Sequence, residues 1–279
     1  MRQRSQRESS EMNELFDRLY LFNDLAILGL VWLAYLSIGL LMFFGLKFVL
    51  DRMQIFGNPY FSVTIIGTTL SLNAVLLIFV LIQSISTFQK VKEIVNNELR
   101  SLYAIEKAIT PLSSRAVDQI RPQFSDYLNA VMTSEWKYMS SKNRDEATEV
   151  QFDEFIEALA KFTPQNDWER KLKEELMPMI EEAASARYLR IKNRGTQLSY
   201  IFFVGVIIMQ FLFVLHFALL TKRDGFSQFA VVIYQSILGV LLGLLVIYDH
   251  PFQGKSGIGP DEFQPMLERV QNTYGAEYR

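Results

Sequence analysis

Apolar positions gather into four runs with few or no charges, and elsewhere they recur every three or four residues with polar positions between them. The first run is Leu25 to Leu46, the third Thr196 to Thr221 and the fourth Phe226 to Tyr248. Each is long enough for a hydrocarbon core of about 30 Å. The second begins at Phe61, stays uncharged to Lys90 and passes into an amphipathic pattern that lasts to Thr110. Between Phe61 and Pro111 there is no proline, and Gly67 is the only glycine. The pattern predicts one uninterrupted helix that crosses a bilayer and reaches about 30 Å beyond it.

Beyond Lys90 the helical period continues. Val91, Val95, Leu99 and Leu102 mark one face, with Ile105 and Ile109 extending it, and Pro111 ends it. Ser113 or Ser114 can cap a second helix through Phe124, Tyr127, Trp136 and Met139, with Pro122 predicting a kink or a later start. Ser140 to Asp145 reads as a loop, and Phe152, Phe155, Leu159 and Phe162 as a third helix. Asn166 and Glu169 form a capping box for a long helix with Trp168, Leu172, Leu176 and Ile180 on its buried face, bent at Pro178. Pro260, with Asp261 and Glu262, opens a short final helix.

The fold class is therefore an all-α polytopic membrane protein: four transmembrane helices, with a helical domain inserted between the second and third. The expected divisions are a polar segment 1–24, spans 1 and 2 over 25–89, the helical domain 90–195, spans 3 and 4 over 196–248, and a tail 249–279. Basic residues are denser on the side that holds the termini and the inserted domain. That asymmetry places all three in the cytoplasm.

The second span carries an unusual stripe. Ser62, Thr69, Asn73, Ser84 and Thr87 share one helical face, with Leu76, Leu77 and Val80 between them. A polar stripe broken by an apolar collar suits the lining of a gated pore. Small hydroxyl residues equally suit close helix packing, and both readings stand.

Composition narrows the chemistry. The 279 residues include no cysteine, so disulfides and thiolate sites are excluded. The net charge of −2, without a basic block, argues against nucleic acid. His216 and His250 fall at opposite ends of the membrane spans, and no metal site or cofactor is expected. Gly254, Lys255 and Ser256 form the end of a phosphate-loop motif, but Asp249 stands where its first glycine belongs, so the stretch reads as a turn. No nucleophile or acid–base pair occupies a defined site, which points away from an enzyme. The span centres hold no Asp, Glu, Lys or Arg, which disfavours a charge-coupled transporter. Asn73, Gln83, Gln210 and Gln235 lie at depth as neutral amides, favouring anions over cations. Arg187, Arg190, Lys192 and Arg194 form a basic collar before the third span, able to concentrate anions or to meet anionic lipid heads.

The layout resembles the bestrophin-like domain family of multi-pass membrane proteins over roughly Ser62 to Leu267. The likeness rests on Glu98 with Leu99-Arg100-Ser101-Leu102-Tyr103, on Tyr127 through Glu135 and Trp136, and on Asp249, Pro251, Phe252, Gly254, Pro260 and Phe263. It implies similarity in layout to bestrophins, which are pentameric anion channels with an apolar neck on their second span. By that analogy the chain is a homo-oligomeric, chloride-type channel of a cytoplasmic or thylakoid membrane, with Leu76, Leu77 and Val80 as the neck. No Arg-Phe-Pro tripeptide and no dense acidic run occurs, so calcium gating is not implied. The competing class is a non-conducting membrane scaffold or sensor whose helical domain binds a partner.

Overall fold

The computed structural model describes residues 23–54, 59–112, 114–139, 145–195, 198–220 and 225–275. The polar N-terminal segment up to residue 22, the Gly57-Asn58 turn, the loop from Ser140 to Arg144 and the Lys222–Asp224 turn lie outside the described residues. Among the described residues every regular element is helical.

Four helices among the described residues are long and apolar enough to cross a membrane. They lie in α1 (Asp24–Arg52), α2 (Pro59–Ile109), α7 (Tyr200–Leu220) and α8 (Gly225–Asp249). Each span expected from the sequence is one of them. Pro59 opens α2 at the first helical position, where its missing N–H costs nothing. The helix then runs unbroken for 51 residues. Between α2 and α7 lie α3 (Ser114–Ala130), a π turn (Val131–Glu135), α4 (Trp136–Met139), α5 (Glu146–Lys161) and α6 (Asp167–Lys192). A 3-10 turn (Pro260–Phe263) leads into α9 (Gln264–Gly275).

The chain divides into two compact units. One comprises residues 1–88, 196–250 and 254–256; the other comprises 89–195, 251–253 and 257–279. In the first, Gly239 and Gly243 let α8 approach the backbone of α1: a Cβ at either would stand 3.4 Å from the carbonyl oxygen of Trp32 or Leu28. Small residues four apart are how membrane helices approach closely when hydrocarbon offers no hydrophobic drive. Phe43, Phe213 and Phe217 interlock farther along, with the Phe43 and Phe217 rings edge to face at 6.3 Å. Leu25, Leu41, Phe48 and Ile207 face outward, as the lipid side of a span requires.

The second unit has an aromatic core. Phe124 stacks on Phe155 at 4.7 Å, and Tyr127 lies 4.9 Å from the Phe152 ring. Pro122 and Pro178 both lie inside helices that continue past them. The capping box at α6 is present: Asn166 Oδ1 accepts the Glu169 N–H at 2.8 Å. Its return bond differs, since Glu169 accepts from the N–H of Gln165, one residue before the cap. Leu176 and Ile180 are buried as expected, but Trp168 is half exposed. The buried seam of α6 passes through Glu169, Leu176, Ile180, Ala183, Arg187 and Arg190, and Trp168 stands one residue off its start.

Candidate functional site

Along α2 the buried positions include 73, 77, 84, 91, 95, 98, 102, 105 and 109, a single seam stepping by three, four or seven. That seam divides the stripe expected to line a pore. Asn73, Leu77 and Ser84 lie on it and face the fold interior. The Ser84 hydroxyl is buried without a hydrogen-bond partner among the described residues. Thr69, Val80 and Thr87 are half-buried at its edges, and the Thr87 hydroxyl donates to the Gln83 carbonyl at 3.0 Å. Leu76 is 45% exposed, while the Ser62 side chain lies outside the described residues. The outward face instead carries Leu72, Val75, Leu76, Phe79 and Ile82, followed by Gln83 and Lys90.

Of the four neutral amides expected at depth, Gln210 and Gln235 are brought together. The Tyr35 hydroxyl donates to Gln210 Oε1, and Gln210 Nε2 donates to Gln235 Oε1 at 2.9 Å, so three helices share one hydrogen-bond chain. Gly39 makes room for it, because a Cβ there would lie 2.7 Å from the Gln235 amide. The chain ends on Gln235 Nε2, buried and without a hydrogen-bond partner among the described residues.

A second polar centre occupies the helical unit, and two members of the expected basic collar belong to it. Arg190 is wholly buried. Its Nε donates to Glu98 Oε2 at 2.6 Å, and one terminal nitrogen donates to Glu98 Oε1 at 2.9 Å and Glu135 Oε2 at 2.6 Å. Arg187 donates to the other Glu135 oxygen at 2.5 Å, and the Tyr127 hydroxyl donates to Glu98 at 3.1 Å. The guanidinium of Arg190 lies 5.1 Å from the Trp136 ring and 5.6 Å from that of Phe263; Arg187 covers Phe152 at 4.9 Å. Burial works against the Arg190 charge, yet Glu98 and Glu135 outweigh it and hold the proton more firmly than usual. Burial, reinforced by both carboxylates, pushes the Tyr127 phenol well above its ordinary range. Arg187 and Arg190 are thus spent inside the fold and contribute no exposed collar. Lys192 is exposed, with its ammonium 5.9 Å from the Tyr188 ring, and Arg194 is half-buried.

The π turn at Val131–Glu135 is an element that sequence periodicity did not predict. Val131, Glu135 and Met139 are all buried and follow one another by steps of four. In an α-helix such steps drift around the axis; a wider turn absorbs the drift and keeps Glu135 aimed inward. Two successive steps of four were the available signal. His216 and His250 enter no shared site: His216 Nδ1 lies 3.2 Å from the Leu212 carbonyl, and His250 Nδ1 lies 3.6 Å from Asp249.

This arrangement stabilises and positions; among the described residues no group of acidic and histidine side chains is placed to hold a metal. Its members coincide with the resemblance noted above, since Glu98, Tyr127, Glu135, Trp136 and Phe263 all meet around Arg190. Comparison with curated proteins and with solved structures finds no match. The family model for the bestrophin-like domain matches residues 62–263, well over half of the chain. The chain belongs to the bestrophin-like domain family of membrane proteins.

Proposed function

We propose that the chain assembles as a homo-oligomeric, anion-permeable channel whose axis is lined by the outward strip of α2. The observation that carries this reading is the family match, which spans α2 from residue 62 onward. The outward strip supports it: Leu72, Leu76, Gln83 and Lys90 follow one another at helical spacing, with Thr69 and Thr87 half-buried at its margin. No acidic residue interrupts that strip. Leu72 and Leu76 form a narrow apolar ring that empties of water and so gates hydrated ions. Gln83 offers neutral amide donors, and Lys90 raises the local anion concentration at the cytoplasmic mouth. The neck is thus proposed to turn away from Leu77, which is buried within the subunit.

The experiment is halide flux into liposomes for the parent, Leu76→Ser and Leu77→Ser at matched incorporation. Leu76→Ser wets the ring and raises flux. Leu77→Ser instead lowers stability or assembly, because it sets a hydroxyl inside the packed bundle. Flux equal to protein-free liposomes in all three, from an intact oligomer, overturns the channel. That outcome leaves the scaffold reading, in which the helical unit binds a partner.

A further inference from the structure

The Gly-Lys-Ser stretch is no nucleotide loop, yet it holds an anion. Asp24, the first residue of α1, lies with its carboxylate against it. The Lys255 N–H donates to Asp24 Oδ1 at 3.1 Å and the Ser256 N–H to Oδ2 at 2.7 Å, with the Ser256 hydroxyl as a third donor. Gly254 has φ of 76°, a conformation that side chains rarely adopt and that lets successive N–H groups turn to one point. Lys255 and Ser256 are both exposed, so the cradle is open to exchange. The Lys255 ammonium has no ion-pair partner among the described residues.

We propose that residues 254–256 form a receptor for a phosphate group, kept occupied by Asp24 as an internal competitor. The single negative charge of Asp24 takes all three donors but leaves the Lys255 ammonium without an ion pair among the described residues. A phosphate monoester brings a charge approaching two and three strong acceptor oxygens, and so engages every donor together with Lys255. When phosphate enters, the Asp24 carboxylate leaves, and the tie between the start of the first span and the loop after the fourth opens. The start of a span is also where lipid headgroups lie, so the phosphate can be a lipid head or a soluble anion. The cradle can exchange its anion whether or not the chain conducts.

The test is equilibrium binding of radiolabelled inorganic phosphate to the full chain in phosphatidylcholine nanodiscs. Asp24→Ala removes the competitor and tightens binding about tenfold, the factor by which a competitor present about nine times in ten weakens apparent affinity. Ser256→Ala or Lys255→Gln, each added to Asp24→Ala, takes that gain back. An unchanged affinity in Asp24→Ala, from protein with the parent's thermal unfolding midpoint, overturns the receptor. So does a gain that survives both added substitutions. Repeating the measurement with phosphatidic acid in the nanodisc separates the sources. Loss of the Asp24→Ala gain there identifies the lipid head as occupant; retention identifies the soluble anion.

Discussion

Arg190 is sealed from solvent, so its charge is met by Glu98 and Glu135. Removing one partner of such a pair strands the other in low dielectric, at a cost of about 3–5 kcal/mol. Glu98→Gln and Arg190→Met should each destabilise the helical unit by about that much, read as a lower thermal unfolding midpoint. Arg190→Lys should rescue little, because an ammonium cannot repeat the two-pronged grip on Glu98 that Nε and the terminal nitrogen make. A lysine variant with the parent midpoint would show that charge alone suffices. Tyr127 adds a pH dependence with a definite sign. Its folded-state phenol is raised above the ordinary value of 10.0, so the contribution is whole below that value and declines as pH rises beyond it. Tyr127→Phe should flatten the alkaline limb of a stability profile, read by circular dichroism, and leave the neutral region with the smaller loss of one hydrogen bond.

Among the elements, α1 and α8 show how far a single methyl group can matter. A Cβ at Gly39 would collide with the Gln235 and Gln210 amides, whereas one at Gly29 meets nothing within 4 Å. Gly39→Ala should therefore destabilise the bundle by about 1–3 kcal/mol through overpacking, while Gly29→Ala is neutral or slightly favourable in its helix. Melting in detergent ranks the two, and equal midpoints would contradict the close approach at Gly39. The four spans are legible in the sequence because uncharged apolar runs of that length rarely serve a water-exposed fold. The unbroken α2 is legible from the missing prolines. A helical wheel correctly groups Asn73, Leu77 and Ser84, but a wheel does not say which face is inside. Arg187 and Arg190 resemble a solvated collar because a basic residue before a span ordinarily meets water or lipid heads. Their partners stand far away in sequence, Glu98 at 92 positions and Glu135 at 55 from Arg190. Only folding brings them together.

At the scale of the whole molecule, the proposed topology places Met1, the region from Lys90 to Arg194 and Arg279 on the cytoplasmic side. Reporter fusions at Arg52, Asn143, Arg223 and the C-terminus should split, with Asn143 and the C-terminus against Arg52 and Arg223; a shared side for Asn143 and Arg223 would refute four crossings. The helical unit also draws on chain that follows the last span. Trp136 donates its indole N–H to the Ile258 carbonyl and meets the Phe263 ring, which covers Arg190 as well. During synthesis the ribosome delivers Glu98, Glu135 and Arg190 before α7 and α8, and Ile258 and Phe263 only after both. The core of this unit is consequently finished last. A nascent chain cut short between residues 195 and 258 lacks the Ile258 carbonyl that takes the Trp136 N–H and the Phe263 ring that covers both Trp136 and Arg190.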